Sequence, residues 1–553
     1  MDTALPFSMS TSLYQSRIRL TKRRADAIMN RTRHRQYILG TPTRCLKNEV
    51  LMYDLIIKNA TIIDGTGAAP YTGDVAVKDG KIAAIGEYLE GADKLIDATG
   101  LTVTPGFIDS HSHSDRMLKA FPNQREKIEQ GITLSITGQC GFSQAPKVKD
   151  GVLNKMSDFV TDVKDRPIGS SAALLIGHNT LRTAVMGKVN RPCTPEELQR
   201  MEELVQEAMD AGAIGLSFGL FYVPGCYAPT DEAIALAKVV ARNNGVIAAH
   251  IRCEDDNVIE SVKEFINISV SSGCRAVFSH HKAHGFSNFG KTKETLALIN
   301  EANENGADLY LDAYPYIASH TTMLARFVPK AFHPEGTTNA LSLLDDPAIV
   351  ADIKRWAEQW NNDLSWTLVT KCSEHPEYEG MNVNEIAELR GDTDRMDTVF
   401  SIIRETKGGA EACFFLMCEE DVENVLKHPR TMIGTDSAVA GKSRKYHPRL
   451  RATFPRVLAR YVRERGIVPL LEMIRKMTSL PADVYRLPEK GRLLVGKDAD
   501  LCIFDADEIE DVADFVHCER KNKGLCYVIV DGEIVVENNE FNGIRRGKIY
   551  LRG

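Results

Sequence analysis

The chain has 553 residues, of which 43% are apolar and 26% are charged, and its net charge is −7. This length exceeds that of one small domain and suits a large α/β barrel with additions. The composition is that of a globular protein and argues against collagen-like, mucin-like and wholly disordered chains. The charge gives no indication of a nucleic-acid partner, and no apolar run of about 18 residues predicts a membrane span.

The leader, residues 1–51, and the cysteines bear on the cellular compartment. The leader holds ten Lys/Arg and three Asp/Glu, a net +7, so the remaining residues carry −14. It lacks the apolar core of a secretory signal, which leaves a transit peptide, a misassigned start or a disordered extension as interpretations. The twelve cysteines form no CxxC pair, a pattern typical of reduced thiols in a cytoplasmic enzyme.

Both ends of the remaining chain predict β-strands. Alternation at 53–64 predicts a strand, and Asp79-Gly80 between two apolar runs predicts a hairpin. Residues 499–505 and 526–537 repeat this texture, the second with an Asp531-Gly532 turn. Because chain ends often lie close together, 52–105 and 485–553 are predicted to form one small β-sandwich domain.

The middle of the chain, residues 106–484, alternates helices and strands about every 30 residues. Residues 194–212 predict a helix, with Thr194 as N-cap, Pro195 at the first position and Glu197 closing a capping box. Successive βα modules imply a parallel sheet covered by helices. The less regular residues 320–430 are interpreted as an inserted lid.

Polar residues follow several of these strands at their carboxyl ends, namely Ser217, His250, His280 and Asp312. A (β/α)8 barrel builds its active site at that face. A doubly wound open sheet would also bind ligands there, but its usual GxGxxG turn after the first strand is missing. The predicted fold class is therefore α/β, a (β/α)8 TIM-like barrel.

The sharpest motif is LTVTPGFIDSHSHSD at 101–115, in which His111 and His113 follow an apolar strand. Residues i and i+2 of a strand point to the same side, so both imidazoles can bind one metal ion. Cys140 follows the next apolar strand, between Gly138 and Gly141 where the backbone must turn tightly. Its thiolate is a good zinc ligand, whereas a buried free cysteine is the ordinary alternative.

Three further candidate residues end later strands. His250 and His280 close successive strands one βα module apart, and Asp436 closes TMIGTD at 431–436. A carboxylate there could bind the metal, take a proton from water, or do both. Six candidate ligands at the strand ends of different modules argue against chance and packing alone.

The chain resembles the N-acyl-D-amino-acid deacylase (D-aminoacylase) family of the metal-dependent amidohydrolases. The resemblance covers about residues 53–553. The motifs that carry it, in order, are YDLIIKNATIIDGTG, TPGFIDSHSHSD, GQCGFS, GHNTLR, GLSFGLFYVPG, HIRCE, SHHKAHG, DAYPY, IGTDS, HPRLRATFPRVL and GRLLVGKDADLCIFD. It implies zinc-dependent hydrolysis of a small molecule, an N-acyl-D-amino acid, with no nucleic acid or membrane as partner.

The resemblance also implies residue roles. Residues matching Cys140, His250 and His280 hold a tightly bound zinc, the cysteine standing where other amidohydrolases use a carboxylated lysine. A second, weaker metal position matches His111, His113 and Asp436, and the aspartate serves as general base and acid. The residues matching Lys282, Tyr314 and Arg449 bind the substrate carboxylate, and those matching Phe221 and Tyr222 line the acyl pocket.

Three positions depart from the family pattern. Gln139 stands where Asn is usual, and His281 follows His280 where an apolar residue is common. The Ser-His-x-Lys frame and the spacing from His250 favour His280 as the ligand. His320 replaces a small residue and could alter the pocket or the lid.

Two alternative functions remain at this point. A cyclic amidase of the dihydroorotase or hydantoinase kind typically uses a bridging lysine, a role that falls here to Cys140. A catalytically inactive amidohydrolase-like scaffold would be marked by lost ligands, and all six are present.

Overall fold

The alternating segments in the middle of the chain form eight parallel strands, each paired with the next along the chain. The computed structural model describes residues 52–439 and 445–552, so the leader lies outside the described residues. The eight barrel strands are Phe107–Ser112, Ile132–Thr137, Ser171–Gly177, Gly215–Gly219, Val246–His250, Arg275–Phe278, Leu309–Ala313 and Thr431–Ile433.

Backbone contacts just beyond the last strand close this sheet onto the first. Ser112 and Ser437 form a parallel bridge. The His113 N–H donates to the Ser437 carbonyl at 2.9 Å, and the Asp436 N–H donates to the His111 carbonyl at 2.8 Å. The predicted α/β fold class, with a (β/α)8 barrel, is confirmed.

Helices connect the strands as the periodicity predicts. The helices around the barrel are Arg125–Ile128, Met156–Val163, His178–Met186, Pro195–Asp210, Thr230–Arg242, Val258–Ser272, Thr292–Glu304, Glu419–Lys427, Arg449–Arg456, Leu470–Met477 and Ser479–Val484, with a π-helix at Val457–Glu464. The capping box is confirmed, because the Thr194 hydroxyl and the Glu197 carboxylate accept each other's backbone N–H. No described helix has both the length and the apolarity to cross a bilayer.

Strands from the two ends of the described chain share one nine-stranded sheet. Its members are Tyr53–Ile62, Tyr71–Lys78, Lys81–Gly86, Ala92–Asp97, Thr102–Pro105, Leu501–Phe504, Leu525–Val530, Glu533–Glu537 and Glu540–Phe541. Thr102–Pro105 and Leu501–Phe504 pair antiparallel and join the two ends. Asp79 and Asp531 adopt the positive φ of tight hairpin turns. The domain bounds 52–105 plus 485–553 and 106–484 stay predictions.

The segment interpreted as a lid has its own small sheet and apolar core. Ser319–Thr322, Glu411–Phe414 and Thr367–Lys371 form a three-stranded antiparallel sheet. The helices of this segment are Met323–Phe327, Pro347–Ala357, Val383–Arg390 and Arg395–Glu405. Phe327, Trp366 and Phe414 belong to a buried cluster within it. The segment therefore has a hydrophobic core between two barrel strands, and its bounds at 320–430 stay a prediction.

A fully buried ion pair joins the first barrel strand to the segment after the last. The Lys127 ammonium lies 2.9 Å from the Asp109 carboxylate, and both side chains have no exposed surface. Lys127 also donates to the Thr435 hydroxyl at 2.6 Å and to the Ser437 carbonyl at 2.9 Å. Asp109 accepts the Thr435 N–H at 2.8 Å. Every charge in this cluster is compensated, as a buried charge requires.

We expect Lys127→Ala to destabilise the fold by about 3–5 kcal/mol, because it leaves the Asp109 carboxylate buried and uncompensated. Guanidinium unfolding of the full chain measures this. Lys119→Ala is the control, since Lys119 pairs with Asp162 at the surface, where side chains are 53% and 37% exposed. That change is expected to cost less than about 1 kcal/mol. Equal costs for the two variants would contradict the importance of the buried pair.

Candidate metal centre

His111 and His113 lie at the carboxyl end of the first barrel strand. His111 is fully buried, and its Nδ1 lies 3.1 Å from an Asp312 carboxylate oxygen. This contact turns the Nε2 of His111 toward Cys140, whose Sγ is 3.4 Å away. His113 is partly buried, and its Nε2 lies 3.1 Å from the Asp436 carboxylate. Both histidines therefore face neighbours from other strands.

Cys140 lies in a tight turn that only glycine neighbours permit. Gly138 and Gly141 have φ of 85° and 79°, and Cys140 itself has φ of 54°. A Cβ at Gly138 would lie 2.3 Å from the Leu175 carbonyl oxygen, and one at Gly141 would lie 2.4 Å from the Asn179 side chain. The turn brings the Cys140 Sγ within 3.3 Å of His280 Nε2 as well as toward His111.

The structure separates the roles of the two adjacent histidines after Arg275–Phe278. His280 turns toward Cys140, whereas the Nε2 of His281 lies 2.8 Å from the Thr295 hydroxyl in the surrounding helix layer. Burial lowers the pKa of His281 to about 3, so this imidazole stays neutral. His280, as the sequence spacing favours, is the residue that joins the candidate centre.

Asp436 follows the last barrel strand in a left-handed conformation, with φ of 47°. Its Oδ1 faces His113 at 3.1 Å and His111 at 3.5 Å. Its Oδ2 forms an ion pair of 2.7 Å with Arg449. Burial alone raises the pKa of Asp436, but the Arg449 and His280 charges outweigh it and hold that pKa well below the usual range.

The predicted ligands form two donor groups that share Cys140. One contains His111, His113, Cys140 and Asp436, and the other contains Cys140, His250 and His280, with the donor atoms of each group within 4.8 Å of one another. Tetrahedral zinc with ligand bonds of about 2.0–2.3 Å separates its donor atoms by about 3.3–3.8 Å. The Cys140–His111 and Cys140–His280 distances of 3.4 and 3.3 Å match this spacing.

The chemistry of the donors also fits a borderline-soft metal ion. Thiolate and imidazole donors are those that zinc prefers. Burial raises the pKa of the Cys140 thiol, but His111 and His280 overcome this effect and lower it well below the usual value. His250 Nδ1 is buried without a hydrogen-bond partner, as expected of a nitrogen that serves as a metal ligand. These residues fit one or two zinc ions.

The two cationic side chains predicted to bind the substrate carboxylate lie beside this centre, and each is already paired with an acid. Lys282 Nζ lies 2.6 Å from Glu254, and Arg449 pairs with Asp436. Both cations also lie against one ring of Tyr314, at 5.6 and 4.7 Å from its centroid. Lys282, Arg449 and Tyr314 are thus brought together, as the resemblance implies.

The predicted acyl-pocket aromatics pack against the second donor group. Phe221 stacks on His250 at 5.2 Å and Tyr222 meets the same ring edge-on at 4.8 Å. Both line a cavity of about 1710 Å³ together with Cys140, Lys282 and His320. Burial lowers the pKa of His320 to about 4, and its Nε2 lies 2.9 Å from the Thr370 hydroxyl. His320 therefore adds a neutral polar group to the wall formed by the inserted segment.

Two acids that contact histidines of the candidate centre are not among the candidates that the sequence predicts. The sequence marks Asp312 only as a polar strand end, yet its Oδ1 also accepts the backbone N–H of His280 at 2.6 Å. Glu254 lies in the HIRCE motif, followed by two further acids that make this loop look like a solvated surface. Its position four residues after His250 was the available signal.

Comparison with known proteins places this arrangement in a family. The profile of the amidohydrolase family matches residues 94–536. The chain belongs to the amidohydrolase family. It is 34% identical to D-aminoacylase of Alcaligenes xylosoxydans xylosoxydans over 515 residues, 90% of this chain and 98% of that protein.

Two further relatives place this amidohydrolase in the same branch. N-acyl-D-glutamate deacylase of the same organism is 35% identical over 87% of this chain and 93% of that protein. A crystal structure of N-acyl-D-glutamate deacylase from Bordetella bronchiseptica, complexed with zinc and a phosphonate inhibitor, has 33% identity and a TM-score of 0.79. It covers 90% of this chain and 100% of that chain. The predicted membership of the D-aminoacylase family is confirmed.

Thiol reactivity should distinguish Cys140 from other cysteines of this amidohydrolase. A thiol reacts with alkylating reagents as the thiolate, so a lowered pKa keeps Cys140 reactive at pH 6. For a thiol whose pKa is raised, the alkylation rate falls about tenfold for each unit by which the pKa exceeds the pH. Burial raises the pKa values of Cys253 and Cys274 to about 12. In the metal-free protein, iodoacetamide at pH 6 is expected to alkylate Cys140 before those two, as read by peptide mass spectrometry.

Added zinc should protect Cys140 from this reagent and leave the rates at Cys253 and Cys274 unchanged. A Cys140 alkylation rate that rises tenfold per unit from pH 6 to pH 9 would show an ordinary thiol and contradict the lowered pKa.

Proposed function

We propose that this amidohydrolase is a zinc-dependent deacylase that hydrolyses N-acyl-D-amino acids to a carboxylate and a free D-amino acid. The observation that carries the proposal is the pair of donor groups sharing Cys140, set beside the buried cations Lys282 and Arg449. An amide needs strong activation, and a free carboxylate needs positive charge. The names of the relatives, D-aminoacylase and N-acyl-D-glutamate deacylase, support the same substrate class.

The proposed zinc ligands are Cys140, His250 and His280 for a tight site, and His111, His113 and Asp436 for a weaker one. Zinc bound there would supply Lewis acidity that polarises the amide carbonyl and makes water a better nucleophile. Asp436 accepts the proton of the attacking water on a carboxylate oxygen and then delivers it to the leaving nitrogen. Its low pKa keeps it ionised, and therefore able to act as a base, at neutral pH.

The remaining residues orient the substrate in this proposal. Arg449 and Lys282 bind the free carboxylate, Arg449 being suited to a two-point contact. Tyr314 stays protonated because burial raises the pKa of its hydroxyl well above the usual value. Phe221 and Tyr222 line the acyl pocket and exclude water from the reacting carbonyl.

We also propose a cytoplasmic location. Its support is that the buried Cys140, Cys226 and Cys274 are present as free thiols rather than as disulfides.

Released amine from a panel of N-acetyl-D- and N-acetyl-L-amino acids tests the substrate class. We expect turnover of D-substrates and at least 100-fold less of the matching L-substrates. Hydantoin and dihydroorotate are included, since activity confined to these rings would favour a cyclic amidase. A zinc-loaded protein inactive on the whole panel would favour a scaffold, and activity confined to L-substrates would defeat the proposal.

Two substitutions test the proposed centre. Asp436→Asn is expected to lower kcat about 100-fold or more, because it removes the group that moves the proton. Cys140→Ala is expected to lose zinc measured by elemental analysis, since both donor groups lose their shared thiolate. Cys526→Ala, in the nine-stranded sheet, is the control and should keep zinc and turnover. Full zinc content and full activity in Cys140→Ala would refute the site.

A further inference from the structure

Glu254 contacts three side chains of the candidate centre, although it is neither a proposed metal ligand nor a proposed substrate-binding residue. Its Oε1 lies 2.6 Å from Lys282 Nζ and 3.0 Å from His280 Nδ1. Its Oε2 lies 3.6 Å from His250 Nε2. The side chain is only 13% exposed and lines the main cavity. One carboxylate therefore contacts both histidines proposed for the tight zinc site and also the lysine proposed to bind the substrate carboxylate.

The loop that carries Glu254 is firmly held. Two residues earlier, the Arg252 guanidinium donates to the Glu264 carboxylate at 2.7 Å and to the Cys226 carbonyl at 3.0 Å. The His284 N–H donates to the Glu254 carbonyl at 2.6 Å. Because these contacts hold the loop at Arg252 and at Glu254 itself, the position of the Glu254 carboxylate is defined by the fold.

The role of this carboxylate depends on which ring nitrogen of His280 carries the proton. His280 Nε2 faces Cys140, so its Nδ1 must carry the ring proton if Nε2 is to bind a metal ion. Lys282 Nζ lies 2.8 Å from that same Nδ1, and an ammonium can only donate. If Lys282 donated to Nδ1, the proton would sit on Nε2 and block metal binding. Glu254 prevents this, since its oxygen accepts from both Nδ1 and Lys282.

We propose that Glu254 is a positioning residue that keeps His280 in its metal-binding tautomer, because its carboxylate accepts the proton of His280 Nδ1 and also accepts from the Lys282 ammonium, which would otherwise donate to that nitrogen. This inference rests on the proposed metal centre. It predicts that the effect of removing Glu254 on zinc binding depends on Lys282, a dependence that a merely structural role would not produce.

Zinc affinity of the metal-free full chain, measured by competition with a chromophoric chelator, tests this. Glu254→Ala is expected to weaken zinc binding about 10–100-fold. Lys282→Met alone should change it less than about threefold. The double variant, Glu254→Ala with Lys282→Met, should regain most of the loss, because the competing donor is gone. Asp256→Ala, an exposed acid two residues away, is the control and should bind zinc like the parent.

Turnover adds a second readout, in which Glu254→Ala lowers kcat even at saturating zinc and also raises KM, because Lys282 loses the partner that orients it. If Glu254→Ala does not fold, Glu254→Gln with and without Lys282→Met gives the same comparison.

Unchanged zinc affinity in Glu254→Ala would overturn the inference. So would a double variant that binds zinc as weakly as Glu254→Ala while unfolding at the same temperature as the parent. In these two outcomes the parent still binds zinc, so only the inference fails. A parent protein that binds no zinc would instead overturn the proposed function together with the inference.

Discussion

The buried Lys127–Asp109 pair is the constraint on which the rest of the structure depends. A barrel has no edges only if its last strand meets its first, and here the last strand has just three residues, Thr431–Ile433. The ammonium joins the first strand to the Thr435–Ser437 segment, and Asp109 accepts two donors from Thr435. This closure sets the position of Asp436 relative to His111, because both residues lie within the joined segments.

The barrel also holds a strained group of candidate ligands. Cys140, His280 and Asp436 all have positive φ, at 54°, 38° and 47°. Such conformations cost about 1–3 kcal/mol for a residue other than glycine, and they persist where the surroundings determine them. Each follows a strand end, where the chain must leave the sheet while its side chain points into the mouth. The barrel therefore supports the strain that makes these three side chains converge.

Much of this arrangement could be predicted from the sequence, because strand periodicity and motif order determine which residues end which strands. The candidate ligands come from strand ends, and spacing separated His280 from its neighbour His281. Contacts between side chains of different loops could not be predicted. The pairing of Lys282 with Glu254 depends on how one loop turns inward, and a run of three acids gives no sign of which one is buried.

Two acids connect the proposed metal donors with the cations that we propose bind the substrate carboxylate. Glu254 contacts both His280 and Lys282, and Asp436 contacts both His113 and Arg449. A buried cation needs a partner, so each acid pairs with its lysine or arginine and fixes it next to the histidines. The cations and the metal donors consequently share their anchors. We therefore expect a change in either acid to affect both groups, so that the proposed metal and substrate subsites act as one connected unit.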